Sequence, residues 1–152
     1  YLRYPSRWDV VAENLKEFKR RGHTVTVSFL SQLANTHSLV ELTQWLSSES
    51  LLRDVVVKVS FLTGPEFLRL ELLPTELRLG AQGALEAAMS NEGLLPENKE
   101  SLRQVSRVLA GPAMPDSHFR LGQFREYTAF MDKRRNLDFR KAFPEMASLL
   151  SQ

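Results

Sequence analysis

Cysteine is missing from all 152 residues. Within these residues that excludes a disulfide, a thiolate nucleophile and any cysteine-ligated zinc or iron–sulfur site. An excess of charge of one sign is missing too, since 20 Lys and Arg face 18 Asp and Glu. A net charge of +2 makes the pI of 9.1 the property of a near-balanced chain, and a poor argument for nucleic acid. No apolar run nears the ~20 residues of a membrane helix. The longest candidate, 55–62, is broken by Lys58 and Ser60. The first residues carry Arg3 and Arg7 but no apolar segment of signal-peptide type. There is no Gly-rich phosphate loop, no paired-histidine metal spacing and no nucleophile elbow. Nor is there an internal repeat or a low-complexity tract. The expectation is a soluble, cytoplasmic protein of one domain with no membrane partner. Because the chain opens on Tyr1 rather than methionine, a section of a longer protein is the other expectation.

What is present is ordinary globular material, 43% hydrophobic and 25% charged. Trp8, Val11, Leu15 and Phe18 recur at helical spacing over residues 6–21, with Ser6 as N-cap, Asp9 three residues later and Gly22 as the stop. Val25, Val27 and Phe29 then alternate with Thr24, Thr26 and Ser28, which predicts a strand over 23–30. A helix follows from Ser38, with Glu41 completing Ser-x-x-Glu, and 55–62 reads as a second strand closed by Thr63-Gly64-Pro65. Strand, helix, strand at this spacing is most simply a right-handed unit with parallel strands. Two parallel strands make a poor sheet alone, and the opening helix lacks the strand that should precede it. The pattern is that of a section from a repeating α/β sheet or barrel. Beyond Pro65 the sequence predicts a short extended piece over 67–73, then helices over 75–89, 97–109 and 119–135. A linker spans 111–117, and a last short helix capped by Asp138 is interrupted near Pro144. Residues 1–73 therefore read as an α/β part and 74–152 as a helical extension.

In a (β/α) architecture the chemistry gathers at the C-terminal ends of the strands. Here those positions are Ser28, Ser31, Gln32 and Asn35 after the first strand, and Ser60 and Thr63 after the second. Each serine also reads as a hydroxyl turned outward or toward a helix, and Asn35 as the residue that closes the turn. His23 opens a strand after a glycine, His37 precedes a helix at the same strand end, and His118 lies in the linker. Lys133-Arg134-Arg135 reads as a phosphate-contacting patch or as the basic end of a helix, and the second is favoured. Phe124, Tyr127 and Phe130 at helical spacing read as a core face before a base-stacking surface. Nucleic acid is not the expected partner.

Tyr1-Leu2-Arg3-Tyr4, Trp8, Asn14-Leu15, Gly22, Val25-x-Val27 and Asn35 occur in an order that resembles the middle of radical SAM proteins of the peptide-maturase and twitch/SPASM type. At the other end, Phe124-Arg125-Glu126-Tyr127-Thr128, Asp132-x-x-Arg135-Asn136 and Phe143-Pro144-Glu145 resemble the tail of the twitch-type members. Met131 and Met146 stand where that tail has leucines, and 77–117 matches nothing in it. The resemblance implies part of a radical SAM-type (β/α) barrel with a helical C-terminal extension. It also implies an enzyme that uses S-adenosylmethionine and a [4Fe–4S] cluster for radical modification of a peptide or small substrate. By the same resemblance Arg3, Ser28 and Asn35 would contact the cofactor, and Gln32 and Ser60 the substrate. The family's Cys-x-x-x-Cys-x-x-Cys loop and Gly-rich strand end are absent from these residues. They would lie upstream, making the N-terminal half of the barrel the first partner, or have been lost. The alternative is a small non-enzymatic α/β interaction domain whose helical extension binds a partner.

Overall fold

A computed structural model of the chain describes residues 7–151. It is an α/β structure, mostly helical, around one small parallel sheet. Helix α1 spans Trp8–Arg20, strand β1 Thr26–Ser31, helix α2 Thr36–Ser48 and strand β2 Val56–Phe61. Then come α3 (Thr75–Met89), α4 (Pro96–Ala110), α5 (Ser117–Arg135) and α6 (Phe139–Ala142). A 3-10 segment, Pro144–Leu150, closes the described chain. The expected helix–strand–helix–strand order and the parallel pairing are both present. A barrel is not: among the described residues the sheet has two strands.

Gly22, at φ +80, ends α1 as its sequence position suggested, because only a residue without Cβ enters that region freely. The proposed cap Ser6 lies outside the described residues; α1 starts at Trp8 with Arg7 as N-cap, and the Arg7 side chain pairs with Asp9. Helix α2 begins at Thr36, so Ser38 and Glu41 are interior residues rather than a capping box, and His37 sits in the first turn. His118 likewise belongs to the first turn of α5 rather than to a linker. Asp138 does cap α6, its carboxylate accepting the N–H groups of Arg140 and Lys141.

The expected extended piece at 67–73 is instead two 3-10 turns, Glu66–Leu68 and Leu70–Leu72. Leu70, Leu72 and Leu73 are all buried, and the Leu72 and Leu73 N–H groups bond the Arg69 and Leu70 carbonyls three residues back (3.1 Å each), as in a 3-10 turn and not a strand. The core runs through both parts of the chain: Leu39, Leu46, Val55 and Val57 pack in one cluster with Leu85, Leu102, Val105 and Phe124. On α5 the buried stripe is Leu121, Phe124, Thr128 and Met131, rotated from the expected one. Tyr127 packs on Phe67 at 5.3 Å, and Phe130 lies in solvent under the Arg134 guanidinium.

Two buried polar devices hold this arrangement. Arg78 donates from Nε to the Leu73 carbonyl (2.7 Å) and from Nη1 to those of Leu109 (3.1 Å) and Gly111 (2.8 Å). Its Nη2 reaches the Glu71 carbonyl. One guanidinium thus ties the start of α3 to the end of α4, whose last carbonyls have no helical partner. The second device is on α4. Asn98 Nδ2 donates to the Val55 carbonyl (3.0 Å), its Oδ1 accepts the Val57 N–H (2.8 Å), and Ser101 Oγ donates to the Val57 carbonyl (2.6 Å). A residue of a third parallel strand opposite Val56 would bond these same two groups, one donor and one acceptor apart. The side chains of α4 therefore close the start of the outer edge of β2, at Val55 and Val57.

Candidate functional site

The register pairs Thr26, Ser28 and Leu30 of β1 with Val56, Lys58 and Ser60 of β2. These six side chains share one face of the sheet, because side chains alternate along each strand. Thr26, Ser28, Leu30, Lys58 and Ser60 are exposed, so this face is open to solvent. The other face carries Val27, Phe29, Val57 and Val59, which pack toward the helices. Ser28 and Ser60, which the sequence singled out separately, thus share one face with Lys58, which stands opposite Ser28 in the register. Lys58 was visible in the sequence only as a charge interrupting an apolar strand. Here it is the charged side chain at the centre of the open face.

At the strand end Asn35 is 7% exposed and spends its amide on the backbone. Oδ1 accepts the Gln32 N–H (2.9 Å) and Nδ2 donates to the Leu30 carbonyl (2.9 Å), clamping the turn from β1 into α2. Gln32 is half-buried in that turn. Ser31 and Thr36, beside it in sequence, are buried with hydroxyls that find no hydrogen-bond partner among the described residues. Thr63 is exposed in the turn after β2, and Arg3 lies outside the described residues. Serine, lysine and turn residues therefore converge on one open face and its C-terminal rim.

A cavity opens on the opposite face. A groove of about 530 Å³ runs between α1 and α2, floored by Val27 and Phe29. Its walls include Val11 and Leu42, with Trp8 and Trp45 in edge-to-face contact at 5.0 Å, and Glu41 on the α2 side. It exists because α1 is held at its rear. Lys16 bonds Glu49 (2.8 Å) and lies 5.8 Å from the Trp45 ring centre, and Lys19 bonds Asp54 (2.6 Å). No residue of α1 is buried, and Trp8 and Phe18 stay more than half exposed. The predicted apolar face of α1 is real, but this two-stranded sheet leaves much of it uncovered.

Charge elsewhere is conventional. The Lys19 ammonium beside Asp54 holds that carboxyl below its usual range. Burial alone would raise Glu71, but the Arg69 guanidinium, bonded at 2.6 Å, and a backbone N–H outweigh it and lower the carboxyl. Burial lowers Arg78 from the usual guanidinium value, opposed by the Glu71 charge. Among the described residues no three His, Cys, Asp or Glu side chains are grouped to hold a metal ion. With no thiolate in the chain, these residues do not fit an iron–sulfur cluster. No described helix is long and apolar enough to cross a membrane. Compared with protein-family models, curated proteins and solved structures, the chain matches none.

Proposed function

We propose that these residues are the closing, C-terminal section of a larger parallel sheet in a radical SAM-type enzyme. In that enzyme, S-adenosylmethionine and a [4Fe–4S] cluster would be held by polypeptide upstream. The observation that carries the reading is the asymmetry of the sheet. Asn98 and Ser101 occupy the outward backbone groups of Val55 and Val57, where the outer edge of β2 begins. The outer edge of β1 has no strand partner among the described residues. Such a sheet ends at β2 and grows at β1, on the side where a strand preceding α1 would join by a right-handed crossover. The open face with Ser28, Lys58 and Ser60 is then an inner wall, and α1, α2 and α4 are outer cover. The reactive chemistry belongs to the cluster and its cofactor. These residues enclose the substrate, a peptide or small molecule, with hydroxyls and one cation.

The test is the product of the complete reading frame containing residues 1–152, reconstituted anaerobically with iron and sulfide. Broad visible absorption and release of 5′-deoxyadenosine from S-adenosylmethionine on reduction are expected. A frame without a three-cysteine loop upstream, whose product stays colourless, overturns the reading. One observation favours the interaction-domain alternative: Phe119 and Phe130, 66% and 56% exposed, lie three turns apart on one side of α5. Under that alternative the colourless product would lose partner binding on replacement of both phenylalanines.

A further inference from the structure

The ladder fixes which groups of β1 are unused. The Leu62 N–H donates to the Ser31 carbonyl (3.0 Å), and Ser31 is paired with Phe61. In a parallel pair, alternate residues bond one neighbour, so Val27, Phe29 and Ser31 turn their backbone groups to β2. The N–H and C=O groups of Thr26 and Ser28, and the N–H of Leu30, therefore point outward. The Leu30 carbonyl is already taken by Asn35. The groove adjoins this edge, for β1 and not β2 supplies its floor.

We infer that the outer edge of β1 is a strand-addition site for an extended segment whose alternate residues are apolar and whose intervening residues are acidic. The backbone of the segment would pair with Thr26, Ser28 and Leu30. A period of two then sends every second side chain over Val27 and Phe29, against Trp8 and Val11 of α1. The remaining side chains stand on the open face, and its charge decides their sign. Lys58 is the charged residue there, is exposed, and has no ion pair among the described residues. It lies two strand spacings, roughly 9.5 Å, from the added strand. Only the small Ser28 side chain intervenes, so an extended lysine and a glutamate meet above it. A basic segment would face Lys58 with nothing to neutralise it.

The two edges differ: Asn98 and Ser101 take three outward groups at the start of β2, whereas on β1 Asn35 takes the Leu30 carbonyl alone and leaves Thr26 and Ser28 without a side-chain partner. The reading above bears on this inference only in who supplies the segment, namely the upstream polypeptide. The edge chemistry stands without any cluster, so a colourless product of the complete reading frame leaves this inference standing, whereas failure of strand addition at β1 also removes the growth edge on which that reading rests.

Trp8 and Trp45 are the two tryptophans of the chain, and both line the groove. Their fluorescence reports occupancy directly. The probe is an eight-residue peptide alternating valine and glutamate, titrated into the 152-residue chain. Saturable change is expected, with loss of binding when the peptide is N-methylated at alternate residues. Ser28→Pro removes an outward N–H that the β1–β2 ladder does not use. It is expected to weaken binding at least about tenfold, which is about 1.4 kcal/mol, with circular dichroism unchanged. Should Ser28→Pro fail to fold, Lys58→Glu serves alone, and is expected to exchange preference for the glutamate peptide for its lysine counterpart. No fluorescence change up to about 1 mM peptide, the scale of −4.1 kcal/mol, overturns the assignment. So does equal binding of the N-methylated peptide. Dimerisation of the chain that Ser28→Pro abolishes would overturn the acidic segment in favour of a second copy.

Discussion

Replacing Arg78 with alanine should cost more stability than any other single change outside the aliphatic core. Its guanidinium serves the carbonyls of Glu71, Leu73, Leu109 and Gly111 and is 6% exposed. Hydrogen bonds to a charged group are worth roughly 1.5–3 kcal/mol each, and a buried acceptor stripped of its donor costs about 1–3 kcal/mol. Four such terms share one side chain and do not add, since water enters part of the space vacated. Against them stands the cost of burying the cation, which the downward shift of Arg78 records. A net loss of about 3–5 kcal/mol follows, comparable to breaking a buried ion pair, out of the 5–15 kcal/mol typical of a domain. Arg78→Lys keeps the charge but presents one nitrogen where three were used, and should recover less than half of that loss. Urea unfolding of the 152-residue chain reads both values, with the slope checked for constancy. A loss below about 1 kcal/mol for the alanine variant, the scale of an ordinary surface change, would refute the argument that this clamp joins α3 to α4.

Other expectations follow from the same geometry. Asn98→Ala leaves the Val55 carbonyl and Val57 N–H buried without partners, a cost of about 2–3 kcal/mol, with hydrogen exchange at Val57 accelerated. An unaltered Val57 rate would show that α4 does not seal β2. Asn35→Ala should cost about 1–2 kcal/mol by losing the turn clamp, measured by thermal unfolding, and a change below a few tenths would release Asn35 for another role. Because the folded pKa of Glu71 is lowered, its contribution is present above the unfolded carboxylate pKa and is lost as pH falls through the folded value. The stability difference between the parent and Glu71→Gln should therefore shrink below about pH 4.5, and a difference constant with pH would contradict that.

The sequence made the α/β order legible because its periods are clean: Trp8, Val11, Leu15 and Phe18 for α1, and Val25, Val27 and Phe29 for β1. It was silent on the two devices that hold the fold, although a signal was there. Arg78 lies in phase with Ala81, Leu85 and Ala88, and Asn98 and Ser101 with Leu102, Val105 and Leu109. A polar residue in phase with a buried stripe is one whose partner is a backbone group from elsewhere. No local pattern states where that group is. The same limit applied to 67–73, where leucines suited a strand until Arg78 and three buried side chains fixed the turns. It applied again to α5, where Thr128 rather than Tyr127 faces the core. Of the candidate site, Ser28 and Ser60 were legible as polar interruptions, but their sharing a face with Lys58 depends on register, which spacing alone leaves open.

The central claim is that the sheet is finished at β2 and unfinished at β1. Amide hydrogen exchange measures it residue by residue, in the 152-residue chain and in the product of its complete reading frame. The account predicts that Val57 is protected in both. It predicts that Thr26, Ser28 and Leu30 exchange freely in the shorter chain and slowly in the complete product. Protection of those three amides in the shorter chain alone at low concentration, or their free exchange in the complete product, would contradict it.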